Sequence, residues 1–320
     1  MIAGFLVVDK PAGITSHDVV SVLRGLLGIK KVGHTGTLDP FATGVLPMAL
    51  GSATRLIQFL DESRKIYEGR IRLGAATDTG DWTGSVSRSM DVPPLTGDGV
   101  HRVVQGFLGE RMQTPPQYSA VKVKGKALYK YAREGKSVNA APRPIRVHEL
   151  QVTAIGPDWL DIRVECSRGT YVRVLAEELS ESLGTVGHLM ALRRVASGAF
   201  QLSNAVDFER LSLIAAGRSD WSAVLRPPRG VERVPWCDHS SRRSAIGEFL
   251  TTPDEALVHL PRWSLDESDL RQLRLRGRTS GGPEGVGDGD HWLACESNRL
   301  LGVMVRQGDI HRVARMLAQS

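Results

Sequence analysis

With 320 residues and 41% apolar side chains, the chain is long enough for two domains and reads as a folded globular protein. No apolar run approaches the roughly 20 residues of a membrane span. The first ten residues lack the basic leader and long apolar core of a signal peptide, and the three scattered cysteines, Cys166, Cys237 and Cys295, argue against a disulfide framework or a Cys-rich zinc site, so a reducing cytoplasm is expected. The net charge of +6 leans toward a polyanionic partner, and where the charge sits says more than its total.

Residues 5–8 are expected to form a buried strand, and Thr15 or Ser16 to cap a helix that stops near Leu27 at Gly28. Residues 33–44, GHTGTLDPFATG, read as a loop, because Gly and Pro are the two poorest helix formers and Pro40 has no ladder N–H. Pro40 also restricts Asp39 to extended conformations. The apolar residues that follow tether the loop to something buried. A short helix over 53–60, a strand over 66–73 ended by Gly74, and a turn-rich loop over 77–81 come next. Thr96 starts a helix reaching about Leu108, capped by Gly109.

Pro115-Pro116 forces an extended entry into a strand near Lys122, and residues 127–133 read as a helix stopped by Gly135. Strands over 145–155 and 160–166 are joined by the turn Gly156-Pro157-Asp158. Thr170 is expected to cap a helix running to about Leu183, with Gly184 as its stop and a strand over 190–195 beyond. Residues 217–253, rich in Arg, Ser and Pro, read as an irregular connection. A helix over 266–275, a Gly-rich loop and strands over 291–295, 300–305 and 310–314 suggest a compact β-rich barrel. Helices and strands mix without a regular βαβ repeat, so the fold class is α+β around a mixed or antiparallel sheet.

Several familiar motifs are excluded. The Gly-rich loop lacks the Gly-Lys-Ser/Thr ending of a P-loop, and the chain has neither Gly-x-Ser-x-Gly nor His-Glu-x-x-His. Asp288-Gly289-Asp290-His291 and Asp78-Thr79-Gly80-Asp81 read as plain turns. What is left is Asp39, for which a structural Asx-turn and a functional carboxylate are equally open. Arg173 falls in the first turn of a helix, where the dipole disfavours a cation, so a carboxylate or phosphate partner is expected there. Such a partner keeps a nucleophilic carboxylate ionised in a closed pocket. Lys122, Lys124, Lys126, Lys130, Arg133 and Lys136 interleave with Tyr118, Tyr129 and Tyr131, a pattern suited to a phosphate backbone with unstacked bases. A solvated helix face competes for the middle of that run.

Taken in order, residues 9–16 (DKPAGITS), 33–44, Lys65-Ile66-Tyr67, 113–122, and 167–173 with Ala191-Leu192-Arg193-Arg194 resemble the motif set of the TruB family of tRNA pseudouridine-55 synthases. The resemblance covers about residues 4–215. It implies the pseudouridine synthase fold: a mixed or antiparallel central sheet flanked by helices over 1–215, with an RNA-gripping insertion at 113–145. An irregular linker over 216–253 and a small PUA-like RNA-binding domain over 254–320 complete the expectation. The implied activity is isomerisation of one tRNA uridine in the T-arm, on a nucleotide flipped out of the stack, by a monomer without metal or other cofactor.

Residue by residue, Asp39 matches the catalytic aspartate and Arg173 the arginine that pairs with it. Tyr67 matches the aromatic stacked on the target base, its hydroxyl a candidate for proton transfer. His34 matches the residue that enters the gap left by the extruded nucleotide, and Leu192 an apolar contact of the uracil. Tyr171, Lys122 and Lys124 fall on the substrate side, as does Lys10, which with Pro11 resembles a support beneath the catalytic loop. The point of attack, ribose or base, stays open. A guide-RNA-dependent synthase component and a tRNA-folding chaperone with a non-essential pocket are the competing readings. The first strand starts almost at Met1, which favours the stand-alone enzyme.

Overall fold

The computed structural model describes residues 2–61, 63–216 and 239–317. β1 (Gly4–Lys10) leads into α1 (Ser16–Leu27), β2 (Val32–His34) and β3 (Thr43–Leu50). Two 3-10 turns, Gly51–Arg55 and Ile57–Phe59, precede β4 (Lys65–Leu73), β5 (Ala75–Thr77), β6 (Val86–Ser89), α2 (Gly97–Gln105) and β7 (Gly109–Gln113). A small hairpin, β8 (Lys122–Val123) and β9 (Lys126–Ala127), is followed by α3 (Leu128–Arg133), β10 (Arg143–Ile155), β11 (Trp159–Cys166), α4 (Val172–Ser182) and β12 (Gly187–Ser197). Then come β13 (Phe200–Gln201), β14 (Val206–Asp207) and α5 (Phe208–Ala216). From His239 onward lie α6 (His239–Gly247), β15 (Leu250–Thr251), α7 (Pro253–Ala256), β16 (Arg262–Ser264), α8 (Glu267–Arg276), β17 (Arg278–Thr279), β18 (His291–Glu296), β19 (Arg299–Gln307) and β20 (Ile310–Met316).

Two sheets dominate. The larger runs β14-β1-β3-β12-β4-β11-β10-β7, mostly antiparallel, with parallel pairs at β1/β14 and β3/β12. This is the mixed sheet of the expected α+β class. The smaller is a five-stranded sheet, β16-β18-β19-β20-β17, the β-rich C-terminal unit. The continuous apolar run of β1 follows from being covered on both sides. Leu6 and Val8 face the main core with Val19, Leu23 and Leu26 of α1 and Leu175 and Leu179 of α4. Phe5 and Val7 face a second core shared with Leu257, Leu293 and Val303 of the C-terminal unit.

Local signals explain α1. The Thr15 hydroxyl accepts from the Asp18 N–H while the Asp18 carboxylate accepts from the Thr15 N–H, a capping box, and Gly28 closes the helix with φ +59°. Thr15 is therefore the cap. Ser16 is buried and serves the loop above it instead.

Several boundaries differ from expectation. The loop is shorter than residues 33–44, because Gly33 and His34 join β2 and Thr43 and Gly44 join β3, both claimed by pairing in the sheet. Residues 53–60 form 3-10 turns, held by i→i+3 bonds from Leu56 to Ala53 and from Leu60 to Ile57. α2 ends at Gly106 because Gly109 is already paired with Val147 in β10. Tyr171, not Thr170, is the N-cap residue of α4, and no side chain caps it. After β7 the Pro-Pro stretch is an irregular strap that reaches only the short β8.

Of the expected linker over 216–253, residues 217–238, Cys237 included, lie outside the described residues. From His239 the chain is not irregular. Arg242 and Arg243 of α6 donate to the carbonyls of Leu26 and Leu27 at 3.2 and 2.8 Å, satisfying the C-terminal end of α1 with cations. Cys166 and Cys295 are buried free thiols.

Candidate active site

The loop between β2 and β3 is held from below by side chains that bond its backbone. Lys10, fully buried at the end of β1, donates from Nζ to the carbonyls of Pro11 (2.8 Å), Ile14 (2.8 Å) and Pro40 (3.2 Å). The Gly13 N–H also reaches Pro40 O at 2.8 Å, and the Leu38 N–H donates to Ser16 Oγ at 2.9 Å. Arg194 of β12, buried as well, donates to the carbonyls of Val45 (2.7 Å), Gly36 (3.3 Å) and Thr37 (3.5 Å). Its neighbour Arg193 pairs with Asp9 at 2.6 Å. Where the loop rejoins the sheet, Gly44 has φ +99°, and a Cβ there would sit 2.2 Å from Arg194 O, so only glycine fits. A segment poor in regular structure is thus held from beneath, because two buried cations bond three of its carbonyls, those of Gly36, Thr37 and Pro40.

Asp39 stands at the centre of this loop, and its side chain faces Arg173 of α4. Arg173 Nη2 donates to Oδ1 at 3.2 Å, and Nε lies 2.9 Å from Oδ2 as an ion-pair contact without hydrogen-bond alignment. The remaining guanidinium contacts are fixed too: Nη1 donates to Thr79 O at 2.6 Å, Nη2 to Tyr118 O at 2.9 Å, and Nη1 lies 3.7 Å from Asp81 Oδ2. The Arg173 side chain is 4% exposed whereas Asp39 keeps 33%, so the arginine is the buried partner and the carboxylate the one open to a ligand. This is the carboxylate partner that a cation in the first helical turn called for.

Burial pushes the Asp39 carboxyl above the ordinary carboxylate range; Arg173 opposes the shift, the Asp81 charge adds to it, and Lys10 opposes it more weakly. Burial lowers Lys10 to about 8, against the pull of Asp39. Glu177, one turn beyond Arg173, is raised to about 7 by burial, with Arg173 opposing. The carboxylate is therefore poorly solvated yet clasped by a fixed guanidinium, a setting that favours a reactive anion over an inert surface acid.

Tyr67 and Leu192 come together beside this pair. In the β4/β12 ladder Tyr67 lies opposite Arg194 and Leu192 opposite Gly69, so both occupy the same face of the sheet. Burial pushes the Tyr67 phenol up, with the Arg194 charge opposing. His34 ends β2 at the loop mouth, half-buried, its Nδ1 without a partner; burial and then the charges of Arg194 and His17 hold it below the usual imidazole value. Tyr171, also half-buried, starts α4 two residues before Arg173.

Lys122 and Lys124 stand elsewhere, exposed on the β8–β9 hairpin, where Lys124 (φ +50°) and Gly125 (φ +80°) make the turn. Lys126 of the same basic run is engaged by Glu134 at 2.5 Å and sits over the Tyr131 ring at 4.6 Å, which narrows the basic surface.

Asp81 escaped the sequence reading. Its turn, Asp78-Thr79-Gly80-Asp81, is indeed a turn, but Thr79 O and the buried Asp81 both face Arg173, while Thr79 and Thr83 bond the Asp81 carboxylate. The repeated Thr-Asp pattern was the available signal, since hydroxyls that satisfy a carboxylate permit its burial. Arg194 was seen as part of a motif but not as the clamp on the loop. Its spacing of two from Leu192 in a strand puts both on one face. Among the described residues no group of His, Cys, Asp or Glu is arranged to hold a metal ion, and no helix is long and apolar enough to cross a membrane.

Residues 24–172 match the model of a family described as TruB family pseudouridylate synthase (N terminal domain). A relative from Geobacter sulfurreducens, tRNA pseudouridine synthase B, is 50% identical over 300 residues, spanning 85% of this chain and 99% of that protein. One of the same name from Geotalea uraniireducens is 44% identical, over 80% of this chain and 74% of the relative. Among solved structures, a Cbf5-Nop10-Gar1 complex aligns with a TM-score of 0.68 at 25% identity, over 98% of this chain and 84% of that one. The chain belongs to the TruB family of pseudouridylate synthases.

Proposed function

We propose that the protein isomerises uridine 55 in the T-arm of tRNA to pseudouridine, acting in the cytoplasm as a stand-alone monomer that needs no metal or cofactor. One observation carries the reading: a part-exposed carboxylate, Asp39, ion-paired and hydrogen-bonded to a buried arginine, in a chain 50% identical over 300 residues to a tRNA pseudouridine synthase B. In this reading Asp39 adds covalently to the flipped-out nucleoside, the bond between sugar and base nitrogen breaks, the base turns, and a ring carbon bonds the sugar as Asp39 is released; the proton that carbon loses balances the one the freed nitrogen gains. The atoms of substrate and product are the same, so the pocket's task is to hold the fragments away from water.

Arg173 aims the carboxylate and holds it as the anion. Tyr67, kept protonated at neutral pH by its burial, offers a flat face to the uracil and a hydroxyl for proton transfer, with Leu192 beside it. His34, held neutral, fits the gap left in the RNA and offsets part of a flipping cost of roughly a few kcal/mol. Residues 113–145 grip the RNA through Lys122 and Lys124, and the C-terminal unit, 254–320, adds a second RNA contact of PUA type. The guide-dependent reading is the weaker, since likeness to the Cbf5 complex stands at 25% identity against 50% for the tRNA enzyme.

Incubation of the purified protein with an unmodified tRNA transcript and no added cofactor, followed by pseudouridine mapping, tests this. One new pseudouridine in the T-arm is expected. Conversion only after a guide RNA is supplied, or none at all, overturns it.

A further inference from the structure

We infer that Gln113 is a positioning residue for this reaction: it sets the first turn of α4, and with it Arg173, and links that turn to the RNA-gripping segment. The inference rests on the reading of Asp39 and Arg173 given above.

α4 begins under unfavourable conditions. Tyr171 offers no side-chain cap, the first turn holds no acidic residue, and it carries a cation where the helix dipole is positive. A separate element must hold it in place. Gln113, the last residue of β7 and 2% exposed, supplies that hold. The Tyr171 N–H donates to Gln113 Oε1 at 2.8 Å, and Gln113 Nε2 donates back to Tyr171 O at 3.1 Å. A side-chain amide paired at both ends with one residue's backbone fixes distance and rotation together, as a rung of a sheet does.

The strap that continues from Gln113 then touches the arginine itself, since Tyr118 O accepts from Arg173 Nη2 at 2.9 Å. Midway, Gln117 repeats the device in the other direction. It donates from Nε2 to Val138 O at 3.1 Å and accepts from the Val138 N–H at 3.2 Å, closing the insertion on itself. One glutamine thus faces the chemistry and the other the grip, four residues apart on one strap. The Arg111–Glu178 ion pair, 2.9 Å, also joins β7 to α4, so loss of the Gln113 amide leaves the helix docked and frees only its start.

The test compares wild type, Gln113→Ala, Gln113→Glu and Gln117→Ala in single-turnover pseudouridine formation and tRNA binding. Gln113→Ala is expected to lower the rate at saturation by roughly 10- to 100-fold while tRNA binding changes by less than about threefold. Gln117→Ala is expected to do the opposite, raising KM with the saturated rate nearly unchanged.

Gln113→Glu adds a readout that mere packing would not move. As a carboxylate the new group still accepts from the Tyr171 N–H but meets Tyr171 O with no donor. Protonation restores the donor. Arg143, paired with residue 113 across the ladder, Arg111 and Arg173 bring positive charge near the group, and Glu178 and Asp39 negative charge. The ratio of variant to wild-type rate should rise as the pH is lowered from about 8 to about 5.

A ratio flat in pH, or equal falls in rate and binding for Gln113→Ala, overturns the inference; if Gln113→Ala fails to fold, the Gln113→Glu ratio decides. An active wild type with a flat ratio rejects this inference alone. An inactive wild type rejects the functional reading and this inference with it.

Discussion

The loop around Asp39 and the insertion around Lys122 and Lys124 are both short of regular structure and both contain glycine and proline, yet they are built in opposite ways. The Asp39 loop hangs on buried cations: Lys10 and Arg194 between them bond six backbone carbonyls, those of Pro11, Ile14, Pro40, Val45, Gly36 and Thr37. The insertion keeps its cations outside. Lys122 and Lys124 are exposed, and its internal ties include a two-rung hairpin, a glutamine clamp and a surface ion pair. Buried charge bonded to backbone fixes geometry at a high desolvation cost. Exposed charge on a small hairpin can follow a phosphate backbone and keeps its long-range attraction. A nucleophile needs the first arrangement and a polyanion grip the second.

If that contrast is right, substitutions in the two regions must fail differently. The largest effect is expected for Asp39→Asn: pseudouridine formation should fall by at least about 1,000-fold while tRNA affinity stays within roughly tenfold, because phosphate contacts dominate binding. Mapping and filter binding on the same preparations check this, and retained catalysis would sink the assignment. Arg173→Lys keeps the charge but loses the planar group that bonds Asp39, Thr79 O and Tyr118 O together, and a fall of roughly 100-fold in single-turnover rate is expected, with little change in binding.

The pH profile sharpens the same point. In the proposed reading Asp39 acts as the anion; its carboxyl is raised by burial, so kcat/KM should fall as the pH drops through a range above that of ordinary aspartates. In Arg173→Met the main opposing charge is gone, and this acid limb should move to still higher pH; an unmoved limb would mean that Arg173 does not govern Asp39.

Lys10→Met probes rigidity rather than chemistry. It takes the Lys10 donor from the carbonyls of Pro11 and Ile14 and leaves Pro40 O only the Gly13 N–H, and a loss of about 2 kcal/mol in thermal or denaturant unfolding is expected, together with a slower reaction. The smallest effects belong to the insertion. Lys122→Ala with Lys124→Ala should weaken tRNA binding and reduce the slope of log affinity against log salt by about 2, with the saturated rate unchanged. Lys126→Ala should alter affinity by less than about twofold, since Glu134 already holds that charge. Equal effects from all three lysines would erase the distinction drawn between exposed and engaged charge.

Much of the fold was readable because its signals are local. The ends of α1 follow from Thr15, Asp18 and Gly28, and the β10–β11 hairpin from two alternating runs around Gly156-Pro157-Asp158. Errors gathered where tertiary pairing overrides composition. Gly33 and His34 look like loop residues but complete a ladder, and α6 looks irregular from its Arg and Ser content yet packs by capping another helix. In the site, Asp39 and Arg173 were legible from an odd loop and an oddly placed cation, sharpened by a motif set in order. Asp81 and the clamping role of Arg194 were not, because a turn and a strand arginine are ordinary until a partner is seen.

By itself, then, the sequence determined which segments would be buried, where α1 begins and ends, and that an acid and a base in unusual local settings deserved pairing. Only the tertiary structure decided that Asp39 and Arg173 meet, that Asp81 stands behind them, and that Lys10 and Arg194 hold the loop by its carbonyls. The reason is range. Capping and periodicity act within a few residues and leave a local mark, whereas these contacts join positions up to 158 residues apart and exist only once the sheet has set its register.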